Sequence, residues 1–269
     1  MTETPELKRL IISAPFGNYV QPTGATPTLG TFTRLKRPGR LWSILKTVRR
    51  YKRLGAWVNQ IGLRNPGIDW LEGRAGTGKL ELSDKLVSIH GFNADDWWAL
   101  LASVARMKPL GVELNISCPN VGKMSWPSDL FERAVRECEG MRVIVKLPPI
   151  HFEAMLDQAL GAGVRTFHCC NTLPVPAGGM SGKPLKPLSI ACIEKVRARA
   201  GESEGGLSII GGGGVTTTND IDDYAAACAT HIAVGTMVMH PKYLRSDRGI
   251  RPLIDHADSL FSKSSPIDR

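Results

Sequence analysis

Four stretches of this 269-residue chain carry side chains that can do chemistry. The run VELNISCPN places Asn115, Ser117 and Cys118 about the end of an apolar segment, with Asn120 just beyond. A thiol on a loop among polar amides can accept a proton at mildly alkaline pH, since an unperturbed thiol has a pKa near ~8.5. The plainer reading of a free cysteine is a small packed apolar group, and Cys138, Cys192 and Cys228, on predicted helices, are read that way. Lys146 ends the run RVIVKL. A lysine at the end of an apolar strand needs a counter-charge or a wet cavity, unless it reaches solvent. Asn171 and Thr172 precede a loop with Gly178, Gly179, Ser181 and Gly182. An amide both donates and accepts, which suits a heterocycle edge. Finally, Gly211, Gly212, Gly213 and Gly214 in IIGGGGV, and Gly235 with Thr236 in AVGT, end two successive strand-like runs. Glycines let backbone N–H groups approach an anion closely, so the two turns predict a phosphate site. The alternative is a pair of ordinary tight turns.

The elements that must position these residues alternate. From residue 80 onward, six short β-branched runs are each followed by an amphipathic segment. The strands are LVSIHG (86–91), GVELNIS (111–117), RVIVKL (142–147), VRTFHCC (164–170), LSIIG (207–211) and HIAVG (231–235). The helices are expected from Asn93 to Met107 and over about 127–138, 151–162, 188–200, 218–228 and within 244–259. Such alternation predicts a parallel sheet with crossover helices, and nearly all-apolar strands predict burial on both faces. LIISA (10–14) and TPTLGTF (26–32) complete a set of eight, and AWVNQ (56–60) is a further strand candidate. The expected fold class is α/β, a (β/α)₈ TIM barrel in a single domain over 1–269, with 1–9 and 262–269 as frayed tails. A doubly wound open sheet is the structural rival. In a barrel the C-terminal strand ends carry the active site, and that is where the polar residues cluster.

Composition supports an ordinary globular chain: 42% hydrophobic and 22% charged residues. The six cysteines contain no C-x-x-C pair, so neither a zinc ribbon nor a thioredoxin-type site is indicated, and no metal site is expected. Without a signal peptide or a membrane-length apolar run, reduced thiols in the cytoplasm are the expectation. The net charge of +9 is uneven: twelve Lys or Arg and no acid lie between Leu7 and Ile68, and the remainder balances at −3. Within residues 34–53, Leu41, Ile44, Leu45 and Val48 share one helical face. The expectation is a helix docked on the barrel with a solvated basic face. Peripheral membrane contact, a protein partner and RNA are the alternatives, nucleic acid the least favoured.

NISCPN, VKLPP, the NT followed by GGMSG and LKP, IIGGGGV and VGT occur in the order found in dihydroorotate dehydrogenases, and the chain resembles that family from about Ser13 to Thr236. VNQIGLRNPGIDWL (58–71) is similar to its N-terminal substrate loop. The resemblance implies an FMN-dependent oxidoreductase that oxidises dihydroorotate to orotate in pyrimidine biosynthesis, with a small pyrimidine as substrate and a homodimer as one assembly. It implies Cys118 as general base, a cysteine there resembling the soluble class. It implies Asn65, Asn120, Asn171 and Thr172 at the substrate, and Asn115, Lys146, Gly182, Gly211, Gly212, Gly213, Gly214, Gly235 and Thr236 at the flavin. The family presents a lysine to the substrate from one of two N-terminal positions, here GNY (17–19) and TLGTFT (28–33), with no lysine in either. Arg64 replaces a usual proline, and its guanidinium is a candidate for holding a carboxylate. The rival enzymatic reading is another FMN barrel acting on a pyrimidine or an enone, of dihydropyrimidine or tRNA-dihydrouridine type.

Overall fold

The computed structural model describes residues 6–121, 125–201 and 206–262. Its elements run β1 (Leu10–Ile12), β2 (Ala25–Phe32), α1 (Arg40–Thr47), β3 (Arg49–Tyr51), β4 (Ala56–Asn59), α2 (Ile68–Gly76), β5 (Leu86–Ile89) and α3 (Ala94–Met107). They continue with β6 (Gly111–Leu114), α4 (Leu130–Glu137), β7 (Arg142–Leu147), α5 (Glu153–Gly161), β8 (Thr166–Cys169), β9 (Leu173–Val175) and β10 (Gly178–Gly182). The last are α6 (Lys186–Ala200), β11 (Ser208–Gly212), α7 (Thr218–Ala226), β12 (His231–Val234) and α8 (Arg251–Ser262). The strands β1, β2, β5, β6, β7, β8, β11 and β12 close into a parallel barrel, which excludes the open-sheet rival.

Alternation along each strand decides what faces the axis. Ile11, Leu86, Ile144, Ile210 and Ala233 point inward and, with Leu7 and Leu110, plug the N-terminal end. Two residues further along the same strands come Ser13, Ser88, Lys146, Gly212 and Gly235, so the interior turns polar toward the C-terminal end. The outward residues, such as Val145, Leu147 and Ile209, pack beneath the helices in the main core with Trp97, Phe131 and Phe167. Truncating one of those buried aromatics costs about 3–5 kcal/mol.

Two of the helices, α3 and α7, begin at a side-chain cap. The Asn93 side chain accepts the Asp96 N–H at 2.9 Å, and Asp95 and Asp96 sit in the positive first turn of α3. The expected N-terminal tail is packed from residue 7: Leu7 is buried and the Lys8 N–H donates to Thr26 Oγ1 at 3.0 Å. Residues 1–5 and 263–269, the rest of the two expected tails, lie outside the described residues.

Two expectations are corrected. AWVNQ forms a strand as expected, β4, and it belongs to a separate antiparallel sheet, β3-β4-β10-β9. The Gly-rich segment after Thr172 is therefore a hairpin rather than a loop, pairing Met180 with Val58 and with Leu173. This sheet stands at the C-terminal end of the barrel and walls the opening there. The basic helix α1 is the second correction. It buries no residue: Ile44 and Val48 are only half-buried on the cavity side, while Leu41 and Leu45 are mostly exposed.

Candidate functional site

A cavity of about 520 Å³ opens at the C-terminal end of the barrel, within the range of small-molecule sites. Cys118, Asn115, Asn120, Asn171, Thr172, Lys146, Arg64, Gly212, Gly213, Gly214, Gly235 and Thr236 all line it. The sequence reading thus placed most of its candidates on one surface.

Three of them do not line it. Asn65 is buried, and both ends of its amide are used within the chain. Its Oδ1 accepts from Thr33 N at 3.2 Å and Gly67 N at 2.8 Å, while Nδ2 donates to Thr33 Oγ1 at 2.8 Å and Leu63 O at 2.7 Å. It braces the backbone from Leu63 to Gly67 and is not part of the cavity lining. Gly211 is an outward position of β11, where a Cβ would meet Tyr224 at 2.7 Å; its neighbour Gly212 faces inward. Gly182 ends β10 with φ +100°, and a Cβ there would stand 2.3 Å from Gly55 O, so it is needed for strand closeness.

The cavity floor holds Lys146 and His168, with Glu113 just beneath, on three adjacent strands. The register pairs Lys146 of β7 with His168 of β8, and Glu113 comes from β6. Glu113 Oε2 accepts from His168 Nδ1 at 2.7 Å, and Oε1 lies 3.6 Å from Lys146 Nζ with no hydrogen-bond partner. Burial acts to raise the Glu113 pKa, but the Lys146 ammonium and the His168 bond outweigh it and hold it at about 2. Burial, then the Lys146 charge, push His168 below its ordinary value, so the imidazole is neutral. Glu113 and His168 were missed by the sequence reading. Period-two alternation from Asn115 marks Glu113 as inward, and the cross-strand register with Lys146 marks His168.

Above the floor the amides form one network. Asn171 Nδ2 donates to Asn115 Oδ1 at 2.7 Å and to Ser117 Oγ at 3.2 Å, and Asn115 Nδ2 donates to Thr31 Oγ1 at 2.8 Å. Ser117 Oγ donates to Lys146 O at 3.0 Å, tying β6 to β7. Asn120 Nδ2 donates to Asn59 Oδ1 at 3.2 Å, which brings the Cys118 loop against β4. Cys118 is half-buried rather than exposed on its loop. Burial pushes its thiol up, against the opposing pull of the Asn120 N–H and the Lys146 charge.

At the rim, Arg40 stacks over Tyr19 at 5.1 Å and Arg64 Nη1 donates to Pro38 O at 3.0 Å. Among the described residues, the cations lining the cavity are Arg40, Arg64 and Lys146, and no carboxylate lines it. Asn18, in the first of the two regions without the family's lysine, is spent on structure. It donates to Pro15 O and Gly30 O at 2.8 and 3.0 Å.

The glycine turns fit a phosphate-bearing ligand. Gly213 and Gly214 have φ of +116° and +77°, and a Cβ would meet Leu185 at 2.8 Å or Lys183 at 2.9 Å. At Gly235 a Cβ would meet only ordinary contacts, the nearest being Ser13 at 3.5 Å. Tyr224 Oη donates to Gly213 O at 2.7 Å and fixes the first turn.

Together these features define a (β/α)₈ barrel with a cationic, amide-lined site at the C-terminal strand ends. The family model described as dihydroorotate dehydrogenase matches residues 24–248, and the chain belongs to that family. It is 32% identical over 205 residues to the "Dihydroorotate dehydrogenase B (NAD(+)), catalytic subunit" of Listeria monocytogenes serovar 1/2a, covering 67% of this chain and 66% of the relative. The Bacillus cereus (strain G9842) protein of the same name is 30% identical over 215 residues, covering 68% of this chain and 65% of the relative. The alignments thus span just under two thirds of these relatives' length. Among solved structures, ligand-free dihydroorotate dehydrogenase from Eimeria tenella superposes with a TM-score of 0.73 at 18% identity, covering 96% of this chain and 85% of that one. The Eimeria tenella enzyme in complex with ferulenol gives 0.74 at 19%, covering 96% and 82%.

Proposed function

We propose that this chain oxidises dihydroorotate to orotate with FMN bound in the barrel mouth. The observation that carries the reading is convergence: the thiol of Cys118, the amides of Asn115, Asn120 and Asn171, the Lys146 ammonium and the glycine turns all face one cavity. Family membership supplies the substrate.

The residues fit the cofactor. Gly212–Gly214, Gly235 and Thr236 would hold its phosphate, and Lys146 would stand at the polar edge of the ring. Held there, a flavin would supply the acceptor for a hydride from the substrate. The other hydrogen, on the carbon beside the carbonyl, leaves as a proton to Cys118 Sγ as the new C=C bond forms. Asn120, Asn171 and Thr172 orient the pyrimidine ring through paired donors and acceptors. With no lysine in the two N-terminal regions, Arg64 and Arg40 are the rim cations that would take the substrate carboxylate. Glu113 keeps the Lys146 charge compensated inside the barrel. The loop from β4 is tied at its start by Asn120 bonding Asn59 and at its end by Asn65 bonding Thr33.

The two bacterial relatives are named as catalytic subunits, which supports a second subunit as the exit for electrons. Six free cysteines among the described residues fit a reducing compartment such as the cytoplasm. The test is the visible spectrum of the purified protein, followed by dihydroorotate without oxygen. A yellow protein that bleaches is expected. A colourless one that refuses added FMN would overturn the cofactor assignment, and a yellow one that dihydroorotate leaves unchanged would overturn the substrate.

A further inference from the structure

The exposed apolar side chains of this protein are concentrated in one place. Of the eleven large ones among the described residues, six lie between Leu35 and Leu54. Leu41, Trp42 and Leu45 are 78%, 76% and 75% exposed, more than any other large apolar side chain described. At 100° per residue they share an arc of about 100° on α1, and Arg40 and Lys46 border that arc on either side. Tyr51 on β3 and Leu54 in the turn after it are also exposed, interleaved with Arg49, Arg50, Lys52 and Arg53. No Asp or Glu occurs anywhere from Leu7 to Ile68. Leu41, Tyr19 and Leu244 also line the cavity, so this apolar face and the cavity opening share a side of the molecule.

We propose that the face formed by α1, β3 and the turn to Leu54 docks on an anionic lipid bilayer. Leucine and tryptophan on one arc, bordered by Lys and Arg, is the pattern of a helix lying in the membrane interface. The apolar side chains stand on a convex helix and enter the acyl boundary, while the arginines and lysines meet the headgroups. Charge complementarity chooses among occupants. A second copy of this chain meeting it through the same face would set nine cations of residues 34–53 against nine, which is repulsive. A zwitterionic surface offers no counter-charge. Among the described residues no helix is long and apolar enough to cross a membrane, so the contact is peripheral. This proposal stands apart from the catalytic reading, and its test uses no turnover.

The test is co-sedimentation of the full-length protein with phosphatidylglycerol-rich vesicles and with phosphatidylcholine vesicles. Binding to the first alone is expected, with release as salt is raised, because the screening length is already only ~8 Å at physiological ionic strength. Brominated acyl chains should quench the fluorescence of Trp42. Trp42→Ala/Leu45→Ser and Lys52→Glu/Arg53→Glu should each weaken binding by roughly tenfold or more, through lost apolar burial and lost headgroup attraction respectively. Circular dichroism melts matching wild type show that these surface variants fold. Wild-type protein left in the supernatant with phosphatidylglycerol-rich vesicles at low salt overturns the proposal and turns the face over to an acidic protein partner. So does equal binding to both vesicle types, or wild-type binding by both variants.

Discussion

Cys118 lies where its own acidity works against the proton-accepting role proposed for it. Burial raises the pKa of the thiol, so the thiolate is the minor form at neutral pH, and only the thiolate can take a proton. The rate of flavin reduction by dihydroorotate should therefore climb with pH through the alkaline range, without levelling near neutrality. Stopped-flow absorbance across pH reads this directly; a flat profile would remove the thiolate from the step. Cys118→Ala should keep FMN yet lose about 10²–10⁴-fold in that rate. Glu113 behaves differently, because its work is done beneath the cavity. Glu113→Gln leaves the Lys146 ammonium buried without its counter-charge. Breaking such a pair costs on the order of 3–5 kcal/mol. Thermal melting of the protein should show a clearly lowered midpoint, and an unchanged midpoint would mean that Lys146 reaches water. The sequence carried both residues in plain view, yet only Lys146 was singled out. Glu113 and His168 look anomalous only once the barrel's inward register is applied to three strands at once.

Elements fall into two groups by how they could be read. The eight barrel strands and the helices from α3 to α8 are legible because each is a local pattern: an apolar run, a cap, a period of 3.6. Their ends shift by a few residues, since fraying and capping decide them. The small antiparallel sheet was not legible. Its strands β3, β9 and β10 hold three to five residues each, and their pairing joins positions more than a hundred residues apart. Glycine in β10 reads as loop, although Gly178 is required there: a Cβ would lie 2.2 Å from Asn59 O. The helix α7 shows what a readable element contributes. Thr217 and Asp220 form a reciprocal capping box, and Tyr224 of the same helix grips the turn at Gly213. Thr217→Ala should cost about 1 kcal/mol. For a chain of this size that is a fall of roughly 2–4 °C in melting temperature. Calorimetry would detect it, and no change would show that the packing of α7 alone sustains the helix.

The molecule as a whole should be sensitive to acid. Burial, aided by Arg9 and Arg142, pushes His231 down to about 3 from an ordinary 6.5, and burial also lowers His90 and His168. Between those limits the unfolded chain binds protons that the folded chain refuses, so stability falls as pH drops from 6.5 toward 3. Glu113 adds a loss of the same sign, beginning below its ordinary 4.5 and complete below about 2. Urea denaturation midpoints measured from pH 7 down to pH 4 should decline steadily; midpoints constant over that range would refute the assignment of buried neutral imidazoles.

The two rim arginines, Arg40 and Arg64, with no acid beside them on the described lining, also bear on how a ligand arrives, whereas Lys146 is compensated by Glu113. A mouth of one sign set in a low-dielectric wall gathers field lines outward into the solvent. Small anions approaching from that hemisphere feel a pull before they touch anything, and their encounter becomes faster than random collision allows. Traffic toward the barrel is in this way sorted by charge ahead of any fit, and oxidised and reduced forms of a carboxylated ring are drawn in alike.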